Sequence, residues 1–449
     1  MNLLRELIER VGLEGLLLLL AASMLVVPVR AEMLLLTVSS NADSGPGTLR
    51  LALEQAAQQP EKAVRIDFGD RDGLFSQPQT IELNEPLPSI VGDVHIDGYI
   101  RGLLWKAYGA TISGRDRHRL FEVSPGGSLR LSGVTLRHGR AETGAAVMNA
   151  GRLFLEGVSL FENHALGQGG AVANLGEVYL VNSTLAWNQA SQGGAVASFG
   201  ELHVVNVTLY QNRALKGAAL WGSGYLHLVN SILAGDSGHE CHNVGRLSDN
   251  SSHNLIQGWQ QGCGVPLLTE DPVLDPAGYF NGPTKVFPIG HGSPVVNLGL
   301  NTAARNAEGD SLIWDQRGNG DPRFASGFTD LGAFERQGRL PERFVVDMLD
   351  DSGLRACHPG HSRPSCPLRA ALELAAAARQ ATPVHFDPDV FKQPRELVLK
   401  LIPPGADAPL LIDGKGVAPV RIVVPAEVPW QLANGVEIKV DSSLKEAWP

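Results

Sequence analysis

The sequence predicts an all-β fold, a parallel β-helix in which each coil takes about 24 residues. Two recurring phrases carry this prediction. The first begins with glycine and alternates aliphatic with other residues, and it starts at Gly127, Gly151, Gly176, Gly200 and Gly224. The intervals are 24, 25, 24 and 24 residues. A second phrase recurs with the same spacing, as GAAVMN, GGAVAN, GGAVAS and GAALWG. A constant period of this length is typical of a solenoid, whose coils stack on one another.

The aliphatic positions within each phrase identify the type of coil. Leucine or valine stands two, four and nine residues after every leading glycine. The second of these positions holds Leu131, Leu155, Leu180, Val204 and Leu228. Alternation with period two predicts strands, and no stretch between the phrases has helical periodicity. The consensus asparagine and return arm of a leucine-rich repeat are missing, so like strands should stack about 4.8 Å apart with these residues in one interior column.

Asparagines recur at two further positions of the repeat. They form the sets Asn182, Asn206, Asn230 and Asn163, Asn188, Asn212. Stacked asparagines can hydrogen-bond from coil to coil at tight corners, where the first two coils use Gly133 and Gly157. The alternative is an exposed row that binds sugars.

The first residues predict an export signal. Residues 15–29 are uncharged and mostly apolar, a length that suits a signal peptide better than a membrane span of about 20 residues. We expect a signal peptide over residues 1–31 with cleavage after Ala31, hence a secreted or cell-surface bacterial protein with no membrane span in the mature chain. An uncleaved anchor or a buried helix is the alternative, since Glu6, Glu9 and Glu14 are unusual in a signal.

Composition excludes several classes of protein. Glycine accounts for 51 of 449 residues and charged residues for only 19%, which is typical of neither a disordered chain nor a coiled coil. The chain has 37 basic and 47 acidic residues, a net charge of −10, so nucleic acid is not an expected partner.

A unit ahead of the coils occurs again near the end of the chain. Residues 36–58 read as a strand, a Gly-Pro turn and a helix, and residues 344–380 repeat the strand and helix with an insertion. A helix that covers the end of a solenoid is expected, because the first coil otherwise exposes apolar side chains and sheet edges. The predicted divisions are 32–115 for the cap and first coils, 116–235 for the regular coils, 236–340 for an irregular part and 341–449 for a truncated second cap unit.

These phrases resemble those of the bacterial exported proteins called CSLREA-type and choice-of-anchor proteins. The family hexapeptide is matched by Cys366-Pro-Leu-Arg-Ala-Ala371 and, more distantly, by Gly47-Thr-Leu-Arg-Leu-Ala52. Further similar phrases are Asp315-Gln-Arg-Gly318 and Asp330-Leu-Gly-Ala-Phe-Glu335. The resemblance implies a right-handed parallel β-helix that serves in surface attachment and has no defined enzymatic activity. The hexapeptide's Ser and Glu are absent here.

The four cysteines form two local pairs, Cys241 with Cys263 and Cys357 with Cys366. Proximity favours these disulfides among the three possible connectivities, and export makes them stable. A zinc site is the alternative, because His239, His242, His358 and His361 lie nearby in the sequence, but no Cys-x2-Cys spacing occurs. We therefore predict disulfides and no metal site.

Parallel β-helices also host polysaccharide lyases and glycoside hydrolases, so catalysis is the competing hypothesis. Glu177 and Glu201 share a repeat position and should lie about 5 Å apart on stacked strands, a separation that suits a retaining hydrolase. A solvated ladder of charges explains them equally. A lyase needs a cationic base, often with calcium, yet Lys216 is the only lysine between Gly127 and Gly235.

One row of rings is the most sugar-like surface that the sequence offers. Phe154, Tyr179, His203 and His227 share one outward position of the repeat. Such a row is either a platform for glycans or ordinary ladder stacking. Residues 315–323 resemble a calcium loop in composition without its ligand pattern, so we expect a charged turn and no cofactor.

The sequence therefore favours a monomeric, exported β-helix surface protein, adhesin-like in function. Its expected partner is a polysaccharide, a cell-surface glycan or a surface protein.

Overall fold

In the computed structural model, the chain winds into coils whose strands stack as parallel sheets. The structure describes residues 33–69, 78–101, 107–235, 239–243, 245–318, 321–324, 328–336, 343–349, 366–377, 383–399 and 410–441. The predicted signal peptide, Cys357, His358 and His361 lie outside these residues.

Three parallel sheets form the walls of the solenoid. Sheet A contains Leu34–Val38, Ala63–Phe68, Asp93–Asp97, Ser128–Ser132, Arg152–Glu156, Glu177–Val181, Glu201–Val205, Tyr225–Val229 and Arg246–Leu247. Sheet B contains Thr80–Glu82, Thr111–Ser113, Thr135–Arg137, Ser159–Phe161, Thr184–Ala186, Thr208–Tyr210, Ile232–Ala234 and Leu255–Ile256. Sheet C contains Phe121–Val123, Val147–Asn149, Val172–Asn174, Val196–Ser198, Leu220–Gly222, His239–Asn243 and Trp259–Gln261.

Two short pairs of strands accompany these sheets. Arg140–Thr143 pairs in parallel with His164–Gln168, and Tyr99–Arg101 forms a local antiparallel pair with Ala107–Gly109.

The register confirms the predicted interior column. Leu155 pairs with Leu131 and Leu180, and the column continues through Val204 to Leu228. All five side chains are at most 1% exposed. The predicted parallel β-helix is confirmed, because a repeat of constant length brings the same position of successive coils together.

Glycine is required where each coil turns from sheet C into sheet A. A Cβ built on Gly176 would lie 2.1 Å from the carbonyl oxygen of Gly151, and one on Gly200 would lie 1.9 Å from that of Gly176. The backbones of successive turns are thus in direct contact, which explains why every phrase begins with glycine.

The two columns of asparagines differ in their hydrogen-bond partners. Asn163, Asn188 and Asn212 form the predicted coil-to-coil ladder, in which each Nδ2 donates to the next Oδ1 at 2.9 Å. Asn182, Asn206 and Asn230 take the left-handed conformation predicted for a corner, as do Gly133 and Gly157. Their side chains, however, bond mainly to a later segment of the chain: Asn182 Nδ2 donates to Trp314 O, and Asn230 Nδ2 donates to Leu300 O. A third ladder, Asn149–Asn174–Ser198, was not anticipated.

This later segment, residues 265–336, is here called the strap. It packs on the outer face of sheet B, where Phe161 contacts Phe287, and Ile232 and Ala234 contact apolar strap residues. Gln316 enters the same interface and accepts a hydrogen bond from Thr184 Oγ1 at 2.5 Å. Sheet B strands are therefore buried on both faces, which explains uninterrupted apolar stretches such as Ile232–Ala234. The strap contains the short 3-10 helix Asn301–Ala303.

Helices lie in both copies of the repeated unit. The first, Leu49–Ala57, is capped by Thr48, whose hydroxyl accepts from the Leu51 amide, and its apolar face joins the main core. The second, Leu368–Ala377, packs in a separate hydrophobic cluster. Two small parallel sheets accompany it: Phe344–Val346, Val384–Phe386, Leu411–Asp413 and Gln431–Ala433 in one, and Arg395–Val398, Val420–Val424 and Val436–Val440 in the other.

The cysteines agree with the predicted pairing as far as they are described. A disulfide joins Cys241 to Cys263. Cys366 is also disulfide-bonded, and its predicted partner Cys357 lies outside the described residues.

The calcium-like stretch at residues 315–323 belongs to a buried charge network within the strap. The Asp315 carboxylate accepts from the Arg317 side chain at 2.6 Å and from the Glu335 amide at 2.7 Å. Arg323 is fully buried beside Glu335, and the Asp330 carboxylate accepts from two backbone amides. Both acids of this stretch, Asp315 and Asp321, pair with Arg317.

Burial raises the pKa of Asp330 to about 7 and holds the pKa of Glu335 well above its ordinary range. Their unfolded pKa values lie near 4, so the folded protein keeps protons between about pH 4 and pH 7 that the unfolded chain has released. The stability that this protonation contributes is complete below about pH 4 and is lost as the pH rises through 7.

We therefore expect the free energy of unfolding to fall across that range. In Glu335→Gln, the amide replaces the protonated carboxyl. The free energy of unfolding of this variant should therefore fall less steeply with pH than that of the parent, by up to about 1.4 kcal/mol per pH unit. Denaturant unfolding of both proteins between about pH 4 and pH 8 measures the two slopes. Equal slopes would show that Glu335 does not hold the proton.

Candidate functional site

The outer face of sheet A carries three columns of side chains, two of which are partly exposed to solvent. The first column runs through Arg152, Glu177, Glu201 and Tyr225, and the second through Arg130, Phe154, Tyr179, His203 and His227. The third ends in Val181, Val205 and Val229, which pack against Ala304 and Leu312 of the strap. The strap therefore borders the open face along one side.

The predicted row of rings forms, and its rings stack on one another. Phe154 and Tyr179 are 5.2 Å apart and 7° from parallel, while Tyr179 and His203 are 4.4 Å apart and 8° from parallel. His203 and His227 follow at 5.8 Å with a 50° tilt. Because the faces of the first three rings cover each other, their edges point outward. The geometry favours ladder stacking over the flat sugar platform that the sequence also allowed.

Two arginines contact aromatic rings on this face. The Arg130 guanidinium lies 4.4 Å from the centre of the Phe154 ring, and the Arg246 guanidinium lies 5.8 Å from that of Tyr225. Arg130 also pairs with Glu308 of the strap. Arg130 therefore covers the Phe154 end of the ladder, whereas Tyr225 and Arg246 belong to the first column.

A shallow groove of about 460 Å³ runs beside the ladder. Its floor is the glycine turn between sheets C and A, and its polar side chains are Arg152, Glu177 and Glu201. The stacked glycine turns leave backbone exposed between the first column and sheet C.

Burial sets the protonation of the ladder. It lowers the pKa of His203, against the nearby Glu201 and Glu177 carboxylates, and it lowers the pKa of His227. Both imidazoles are therefore neutral at pH 7. Burial and the hydrogen bond to Glu177 raise the pKa of Tyr179 to about 12, so its hydroxyl keeps its proton.

The ladder and the groove meet at Glu177, Glu201 and His203. One ligand atom from each residue lies within 4.8 Å of the other two. The Tyr179 hydroxyl donates to Glu177 Oε1 at 2.7 Å and holds that carboxylate in place. Sequence reasoning placed the glutamates and the histidine in separate features. The sequence did indicate that Glu201 and His203 are close together, because residues two apart on a strand share a face.

The sequence matches no model of a protein family and no curated protein. Among the residues that the structure describes, no helix has both the length and the apolar character to cross a membrane.

Proposed function

We propose that the chain is an exported surface protein of the CSLREA-like, choice-of-anchor kind that attaches to glycans through the groove on sheet A. The groove carries the proposal: it combines exposed backbone with one guanidinium and two carboxylates, groups that hydrogen-bond sugar hydroxyls. It spans the stacked coils from Gly127 to Glu201, about 14 Å at 4.8 Å per coil. An extended chain can follow such a surface without closure of the protein around it.

The chemistry of the groove favours binding through edges and polar groups. Arg152 and Glu177 are direct neighbours on adjacent strands, so a cation and an anion stand side by side at the wall. The Tyr179 hydroxyl lies next to them. Arginine offers five donors and a carboxylate only acceptors, which together match the alternating roles of hydroxyl groups.

Glycan binding should depend on Arg152. We expect Arg152→Ala to weaken binding about tenfold or more, because a hydrogen bond from a charged donor contributes about 1.5–3 kcal/mol. Tyr179→Phe should weaken it about fivefold while it leaves the ring stack and the melting temperature unchanged. A glycan panel followed by titration of the strongest ligand measures both.

A matched aromatic control lies on another face. Trp221 is on the outer side of sheet C, where it packs edge-on against Phe199. Trp221→Ala should leave affinity unchanged. Loss of binding in Trp221→Ala but not in Arg152→Ala would move the attachment surface to sheet C.

Hydrolysis is the second candidate, favoured by one observation. A carboxylate oxygen of Glu177 lies within 4.8 Å of one of Glu201, close to the spacing of a retaining pair. The Glu201 side chain is 62% exposed in an open groove, whereas glycosidases enclose their acid in surroundings that keep it protonated. Oligosaccharide release from the panel that disappears in both Glu177→Gln and Glu201→Gln would replace attachment by hydrolysis.

Export is proposed from the apolar run at residues 15–29. Protein recovered from the growth medium or the cell surface should begin at Glu32. Recovery of the chain only from the cytosol, with Met1 retained, would contradict export.

A further inference from the structure

We propose that Glu177, Glu201 and His203 form a binding site for a divalent transition metal of the zinc class. The site joins two successive coils, because Glu177 lies on one strand and Glu201 and His203 lie on the next. It shares Glu177 and Glu201 with the groove proposed for glycans, but it does not require a glycan to be bound.

The imidazole supplies the first argument. His203 Nε2 is shielded from solvent and makes no hydrogen bond within the described part of the chain. It lies 3.8 Å from Glu201 Oε2, beyond hydrogen-bond distance. A buried nitrogen without a partner is costly, and a metal ion at this position would satisfy it.

The spacing of the three ligand atoms is the second argument for a metal site. Two ligands at 2.0–2.1 Å from a tetrahedral zinc lie about 3.3 Å from each other. The atoms here are 3.8 Å apart for His203 and Glu201 and within 4.8 Å for all pairs. The His203–Glu201 distance can shorten through Glu201, whose side chain is 62% exposed.

The surroundings orient the ligands. The His203 ring is stacked on Tyr179, which fixes its plane, and the Tyr179 hydroxyl bonds to Glu177. Hydrogen bonds of this kind to ligating carboxylates are typical of metal sites. One nitrogen and two carboxylates suit zinc, cobalt or nickel, whereas calcium takes six to eight oxygens. Coordination positions that the protein leaves unfilled open into the groove, which Glu177 and Glu201 line.

Calorimetric titration of the full, untagged chain tests the site. After treatment with EDTA, the protein should bind Zn²⁺ and not Ca²⁺, and Zn²⁺ should raise its melting temperature because it joins two coils. Co²⁺ should give the visible absorption of a tetrahedral complex.

Two histidine variants decide where the metal binds. His203→Gln should weaken Zn²⁺ binding at least tenfold and abolish the Co²⁺ spectrum, with the melting temperature in EDTA unchanged. His95→Gln is the matched control: His95 occupies the same outward column on an earlier strand, with its Nε2 next to Ser132 Oγ, and its loss should change neither signal.

Should His203→Gln itself lower the melting temperature in EDTA, Glu201→Gln gives the same test at an exposed position. Absence of Zn²⁺ binding, or equal binding and an equal Co²⁺ spectrum in these variants, would overturn the site. Glycan binding that persists after EDTA would leave the proposed function intact.

Discussion

Replacing Leu180 by aspartate should destabilise the solenoid by at least about 4 kcal/mol. Leu180 is 0% exposed, with Leu155 and Val204 directly above and below it in the interior column. The substitution removes a buried aliphatic side chain and leaves a carboxylate among aliphatic neighbours. Equilibrium denaturation, followed by circular dichroism, measures the loss.

Leu175→Asp is the matched control, since Leu175 is 56% exposed on the same coil. It should change the free energy of unfolding by no more than about 0.5 kcal/mol. A soluble Leu180→Asp protein with the parent's stability would contradict the interior position of this column.

At a pH above the raised pKa of Glu335, replacing Arg323 by methionine should cost about 3–5 kcal/mol, the usual effect of removing one partner of a buried ion pair. The Arg323 side chain donates to Asn182 Oδ1 at 2.5 Å and to Ala333 O at 2.7 Å, and it lies 3.5 Å from Glu335. It therefore connects the strap to a corner of the coils. Removal leaves these acceptors buried without their donor.

At the same pH, adding Glu335→Gln to Arg323→Met should recover part of the loss, because a neutral amide then replaces the charged carboxylate left without its cation. Arg336→Met is the control: Arg336 is exposed and contributes its backbone amide to Asp330, which the substitution keeps. Equal stability of Arg323→Met and Arg336→Met in denaturant titration would show that the buried guanidinium does not hold the strap.

The regular coils could be predicted from sequence because their information is local and repeated. Each phrase specifies its own strands and turns, and the constant period fixes which residues pair, as for Leu155 with Leu180. The left-handed corner at Asn182 follows in the same way. None of this requires knowledge of distant contacts.

The strap and the ring orientation could not be predicted, because both depend on unrepeated contacts between distant residues. Nothing in residues 265–336 has the period of the coils, so the hydrogen bond that Thr184 donates to Gln316, 132 positions away, has no signal in the repeat. The shared position of Phe154 and Tyr179 predicted that they are neighbours but left open whether their faces point outward or toward each other. The apolar outer positions of sheet B did signal a cover, without indicating which segment supplies it.

A crystal structure of the protein soaked with the strongest glycan ligand tests the proposed attachment surface most directly. We expect sugar density along the glycine turn, with hydroxyl groups in hydrogen-bond distance of Arg152 and of Glu177 or Glu201, and no density on the outer face of sheet C. Sugar bound away from the groove, while the groove itself stays open to solvent, would contradict the account.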